Sequence, residues 1–233
     1  MSSIGLGPRV AVVTFPGSND DGDARLALEL LGAEAVSVWH ADAALPNGTE
    51  GVVLPGGFSY GDYLRCGAIA RFARVMDAVR TFAEAGGPVL GICNGFQILC
   101  EAGLLPGVLR PNRQQQFVCA DVAVTVESTS SAFAGGWELG QELVIPVKHG
   151  EGSWYGDATL VAELESRGQI AFRYADDVNG AVDRIAGVTN EAGNVLGLMP
   201  HPEHAVDPLL GPTGGVPVLQ GLLAAARSPA PVR

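Results

Sequence analysis

The apolar positions of this chain fall into short continuous runs separated by amphipathic stretches, a rhythm that predicts alternating strands and helices. Residues 9–15 (RVAVVTF) form an unbroken, β-branched run, as expected of a central parallel strand buried on both faces. The loop Pro16-Gly17-Ser18-Asn19-Asp20-Asp21 leads into a helix through Ala24, Ala27, Leu28 and Leu31 that Gly32 stops. Asp20 and Asp21 are read as capping that helix and opposing its N-terminal dipole; a metal or phosphoacceptor pocket is the alternative. Residues 35–38 and 51–54 predict the next two strands. Residues 68–84 predict a helix with Ile69, Phe72, Val75, Met76, Val79, Phe82 and Ala83 on one face, stopped by Gly86-Gly87-Pro88. Residues 88–92 then read as a short buried strand and 96–102 as an apolar helix. Repeated βα units of this kind build a right-handed, mostly parallel sheet.

After Gly103 the texture changes. Residues 118–127 (VCADVAVTVE) alternate like an antiparallel strand with one solvated face, and 143–147 and 170–174 predict further short strands. Lys148-His149-Gly150-Glu151-Gly152 reads as a loop in which His149 is a candidate ligand or base, although a lone loop histidine is more often neither. Residues 185–190 and 194–199 read as a hairpin across Glu191-Ala192-Gly193. Residues 216–227 close the chain as a helix, and the Ser-Pro-Ala-Pro-Val-Arg tail is expected to fray.

The chemistry concentrates where the 88–92 strand meets its helix. Gly91-Ile92-Cys93-Asn94-Gly95 places two glycines around one thiol, the pattern of a nucleophile elbow with cysteine at its apex. Glycines permit the tight backbone path, and a helix N-terminus favours a thiolate. A buried structural cysteine is the plainer alternative. Pro55-Gly56-Gly57-Phe58-Ser59-Tyr60-Gly61-Asp62 follows the third strand, at the end of a parallel sheet where ligand-binding amides collect. It lacks the spacing of a dinucleotide fingerprint. The 194–199 strand runs into Pro200-His201-Pro202-Glu203, and residues two apart in extended backbone face the same side. Together Cys93, His201 and Glu203 would form a triad if the fold joins them. His201 would take the thiol proton and return it to a leaving nitrogen, while Glu203 fixes the imidazole tautomer. The backbone N–H groups of Asn94 and Gly57 would hold the oxyanion, each such donor contributing roughly 3–4 kcal/mol in comparable sites. That is acyl transfer through a thioester, and spacing alone does not name its substrate.

Composition narrows the classes. A chain of 233 residues with formal net charge −11 lacks the basic face a nucleic-acid partner requires. No apolar run reaches membrane-spanning length, and the first residues lack the layout of a signal peptide, so no membrane is expected and a cytoplasmic location is. The four cysteines form no CxxC pair and no metal signature with the four histidines, so no metal is expected. They are read as reduced thiols, with Cys66, Cys100 and Cys119 structural.

Three blocks carry a resemblance: PGGFSYGDYLR (residues 55–65), GICNGFQ (91–97) and MPHPEH (199–204). Their order, with FPGSN, PVKHGEG and IAGVTN, resembles the class I glutamine amidotransferases. Most of all it is similar to the glutaminase subunits of phosphoribosylformylglycinamidine synthases in purine biosynthesis. The resemblance implies one amidotransferase domain over residues 1–233. Its fold would be a flavodoxin-like α/β three-layer sandwich, with a mostly parallel central sheet and an antiparallel extension. It implies Cys93 as nucleophile, His201 as general base and acid, and Glu203 as orienting partner. Gly57 and Asn94 would be oxyanion donors and Gln97 a wall of the glutamine pocket. It also implies no cofactor in this chain; ATP and Mg would be used by a partner synthetase subunit that receives the ammonia, with a small bridging subunit completing the complex. Asp20 stands where many relatives have cysteine, QQQF (residues 114–117) replaces a segment that often carries Asn and Ser, and Gly214 sits where Asp is frequent. Two other readings stay open: a stand-alone thiol hydrolase of related fold, and a degenerate domain kept for binding.

Overall fold

The computed structural model describes residues 7–228. Its first half follows the predicted alternation: β1 (Arg9–Thr14), α1 (Asp21–Leu30), β2 (Glu34–Trp39), β3 (Gly51–Leu54), α2 (Val75–Glu84), β4 (Val89–Ile92) and α3 (Asn94–Glu101). The second half adds strands β5 (Val108–Arg110), β6 (Val118–Val126), β7 (Glu142–His149), β8 (Ser153–Tyr155), β9 (Ile170–Tyr174), β10 (Ile185–Thr189) and β11 (Val195–Leu198). Helices α4 (Ala158–Ser166) and α5 (Gly215–Arg227) complete it.

Nine strands form one sheet in the order β2-β1-β3-β4-β11-β10-β9-β6-β7, and β5 pairs with β8 apart from it. From β2 to β11 the neighbours run parallel; from β11 to β7 they run antiparallel. The parallel strands are the continuous valine-rich runs, with Val10, Val12, Val13, Val52 and Val53 fully buried, because helices cover both faces. β3 shows the layering. A Cβ on Gly51 would meet Leu222 and Ala226 of α5, whereas Leu54, on the other face three residues on, packs against Gly95 of α3. Among the described residues, no helix is long and apolar enough to cross a membrane.

Several expectations are corrected. The helix expected over 68–84 is two pieces: a 3-10 turn at Ala70–Phe72, then α2, separated where Ala73 adopts extended backbone (φ −62°, ψ 141°). Phe72 therefore swings off the apolar face and is 74% exposed. β7 extends two residues past the expected end, because Lys148 and His149 keep pairing with Cys119 and Val118. The Lys148-His149 step is thus strand, not loop. α4 was not anticipated, although Asp157 caps it by accepting from the Leu160 N–H at 2.8 Å and Leu164 supplies its buried contact. β5 and β8, three residues each, carry no period long enough to read. Cys119 is exposed on β6 rather than structural, whereas Cys100, half-buried, packs against the core as read, its thiol directed at the Pro106 carbonyl (3.7 Å). The fraying expected of the tail falls, after Ser228, outside the described residues.

Candidate active site

Because β1, β3, β4 and β11 are parallel, their carboxyl ends open on one edge of the sheet, and the loops leaving them converge there. β4 and β11 are paired in register, Ile92 opposite Leu198, so Cys93 and the segment running to His201 leave the sheet side by side. The Cys93 N–H donates to the Leu198 carbonyl at 2.8 Å, and the His201 N–H to Pro146 of β7 at 2.8 Å. A cavity of about 190 Å³ lies at this edge, with Gly57, Cys93, Gln97, Lys148, His149 and His201 in its wall.

Cys93 sits at φ 49°, ψ −102°, a backbone state that side-chain-bearing residues rarely occupy. The elbow expected from the sequence is therefore present, and its flanking glycines have a steric reason. A Cβ on Gly95 would stand 1.9 Å from the Leu54 carbonyl oxygen, and one on Gly91 would stand 2.5 Å from Leu99 Cδ1. The thiol lies 3.8 Å from the Lys148 carbonyl oxygen. His201 and Glu203 meet as expected for residues two apart: Nδ1 to Oε1 is 2.6 Å, and both side chains are buried. Burial is the largest influence on His201 and opposes its charge. The Glu203 carboxylate and then Cys93 outweigh it, and the imidazole is pushed up to about 10. The proton thus resides on the imidazole, between the Glu203 carboxylate and the Cys93 sulfur.

Gly57 and Asn94 play distinct local parts. Gly57 has φ +140°, and a Cβ there would come within 2.6 Å of the Asn19 nitrogen, so no larger residue fits. The bonds that bracket it, Asn19 N–H to Gly56 O at 3.3 Å and Phe58 N–H to Gly17 O at 2.8 Å, leave its own N–H unused among the described residues. Asn94 opens α3 beside the thiol. Its side chain accepts from the Ser59 N–H (3.1 Å) and donates to Asp62 (3.2 Å) and Gln97 (2.9 Å), tying the glycine-rich loop to the helix. Gln97 in turn donates to the Glu151 carbonyl at 2.6 Å and is nearly fully buried in the cavity wall.

Several residues at the site depart from their reading in the sequence. Asp20 makes no side-chain cap bond to α1. Its buried carboxylate accepts from Lys148 Nζ at 2.5 Å and lies 3.3 Å from His204 Nε2, because three potential cations converge on it from β7 and the loop after β11. Asp21 is the residue held locally, accepting from the Thr14 hydroxyl at 2.9 Å. Cys66, read as structural, lines the cavity, and burial, then Asp62 and Glu151, push its thiol pKa up. Lys148, unremarked in the sequence, proves central. His149 is buried, with Nδ1 3.1 Å from Asn112 Oδ1; burial and then His201 push it down to about 4, so it is neutral at physiological pH. Asp20, His201, Glu203 and His204 offer ligand atoms within 4.8 Å of one another, a spacing compatible with a cation, and the Lys148 ammonium already supplies positive charge to Asp20 there.

Residues 7–213 match the model of the CobB/CobQ-like glutamine amidotransferase domain. The phosphoribosylformylglycinamidine synthase subunit PurQ of Rubrobacter xylanophilus is 55% identical over 219 residues, covering 94% of this chain and 99% of that protein. The PurQ subunit of Mycobacterium tuberculosis is 56% identical over 205 residues, covering 88% and 91%. The solved structure of PurLQS from Thermotoga maritima contains a chain with TM-score 0.86 and 44% identity, covering 94% of this chain and 98% of that one. The chain belongs to the glutamine amidotransferase family and, within it, to the PurQ branch.

Proposed function

We propose that this chain is the glutaminase subunit of a phosphoribosylformylglycinamidine synthase, releasing ammonia from glutamine for a synthetase partner. The observation that carries the reading is the elbow thiol facing the same cavity as His201, whose imidazole is paired behind it with buried Glu203 at 2.6 Å. Cys93 Sγ, its proton already carried by His201, attacks the side-chain amide carbon of glutamine. The oxyanion is received by the N–H groups of Asn94 and Gly57, and the imidazolium gives its proton to the amide nitrogen as the C–N bond breaks, so that the nitrogen leaves as ammonia. His201 then draws a proton from water as it attacks the glutamyl thioester, which frees glutamate and Cys93. The cavity also holds Asp62 and Glu151, carboxylates suited to the α-ammonium of a free amino acid. The names of the relatives, among them a complex called PurLQS, support a synthetase subunit as partner. A small bridging subunit, and ATP with Mg acting in the synthetase rather than here, complete the proposed assembly, which works in the cytoplasm.

Direct delivery has a chemical purpose: ammonia released into neutral water becomes ammonium and loses its nucleophilic lone pair. Glutamine labelled with ¹⁵N in its amide, supplied to the complex with excess unlabelled ammonium, is expected to give amidine product that keeps the label undiluted. Product carrying the isotope ratio of the bulk ammonium contradicts the proposal.

A further inference from the structure

The Glu203–His201–Cys93 line leaves one strong electrostatic feature unused. Asp20 reaches the same imidazole from a different part of the chain, its Oδ2 3.7 Å from His201 Nδ1. The approach is built, not incidental. A Cβ on Gly56 would stand 2.5 Å from Asp20 Oδ2 and 2.6 Å from His201 Cε1, so only glycine lets the two side chains come together. The Gly56 carbonyl accepts from the Asn19 and Asp20 N–H groups, both at 3.3 Å, which fixes the Asp20 loop to the one that carries Gly57. Lys148 joins both ends of the site. Its carbonyl lies against the Cys93 thiol, and its ammonium against Asp20 (2.5 Å) and His204 Nε2 (2.9 Å).

We propose that Asp20, neutralised by Lys148, is a positioning residue for His201: a second carboxylate that steadies the imidazolium and sets the pH at which it surrenders its proton. The inference rests on the glutaminase reading for its consequence in catalysis. The charged and titratable groups facing His201 are few enough to separate. Glu203 approaches from its own segment, with His204 beside it. Asp20 comes from the loop before α1, Lys148 and His149 from β7, and Cys93 from the β4–α3 elbow. Asp23 is reached only through His204, at 4.0 Å. Of these, Asp20 is the second carboxylate near the imidazole, and Lys148 the cation that tunes it. Asp20 itself remains ionised: burial opposes its charge, and His204, Lys148 and His201 override that and hold it well below the usual carboxylate range.

The arrangement makes opposite predictions for its two members. Asp20→Asn removes an attraction and leaves the Lys148 ammonium uncompensated, so the His201 titration moves to lower pH by at least about one unit. Lys148→Met leaves Asp20 unneutralised and moves it to higher pH. The double variant Asp20→Asn/Lys148→Met falls between the two. Two readouts apply: the ¹⁵N imidazole shifts of the full chain across pH, which need no activity, and the basic limb of kcat/KM for glutamine in the assembled complex. Opposite shifts of the single variants establish the proposal, since a folding defect would not reverse sign between them. An unmoved His201 titration in Asp20→Asn, or shifts of the same sign in both, overturns it. Loss of glutamine hydrolysis by the wild-type complex would instead strike the glutaminase reading, and the imidazole titration would still report on Asp20.

Discussion

Replacing Cys93 with alanine is expected to lower glutamine-dependent synthesis by the complex about 10⁴-fold or more, while synthesis from added ammonia persists. The Cys93 sulfur is the only protein atom in this account that bonds covalently to the substrate, so no neighbouring group substitutes for it. The expectation of intact folding comes from the backbone. Cys93 occupies φ 49°, which alanine tolerates no worse than cysteine, and the elbow is held by the Cys93 N–H bond to Leu198 and the close packing of Gly91 and Gly95. Steady-state assays with glutamine and with ammonium as alternative nitrogen donors separate the two activities. Loss of both would assign Cys93 a structural part in the complex instead.

Glu203→Gln is expected to cost about 10³-fold in glutaminase kcat/KM, because a neutral amide cannot do what the carboxylate does on either side. If its NH₂ faces His201 Nδ1, the imidazole is held in the wrong tautomer. If its carbonyl does, the NH₂ turns toward the position of Oε2, a buried atom with no hydrogen-bond partner among the described residues, at a folding cost of about 1–3 kcal/mol. The pH dependence has a definite sign. Glu203 helps push His201 up to about 10, so removing its charge lowers that value and moves the basic limb of kcat/KM to lower pH. The same coupling contributes stability that is present below the ordinary imidazole value and lost as pH rises through about 10. A pH–rate profile with thermal melting as the folding control measures both. A variant within a few-fold of wild type and with an unmoved limb would remove Glu203 from the mechanism.

What was legible in the sequence follows physical range. The parallel strands announced themselves because strands buried on both faces must be continuously apolar, and the elbow because two glycines must flank its apex. His201 and Glu203 could be paired because a two-residue spacing is enforced locally by extended backbone. Asp20 could not be read correctly, since an aspartate before a helix is a cap unless distant cations claim it; Lys148 lies 128 residues away. The place of Cys66 in the cavity wall was hidden for a similar reason: Glu151, which shares that wall, lies 85 residues further along the chain. The break at Ala73 had no signal because Phe72 fits the helical period, and only the tertiary path turns it outward.

The central claim is that Cys93 reacts with the side chain of glutamine at this site. Intact mass measurement after exposure to an electrophilic glutamine analogue, with and without the synthetase partner, tests it most directly. The account predicts one adduct per chain, mapped to Cys93, suppressed by glutamine and accelerated by the partner. Labelling at Cys66 or Cys119 instead, or labelling of Cys93 that glutamine fails to suppress, would contradict it.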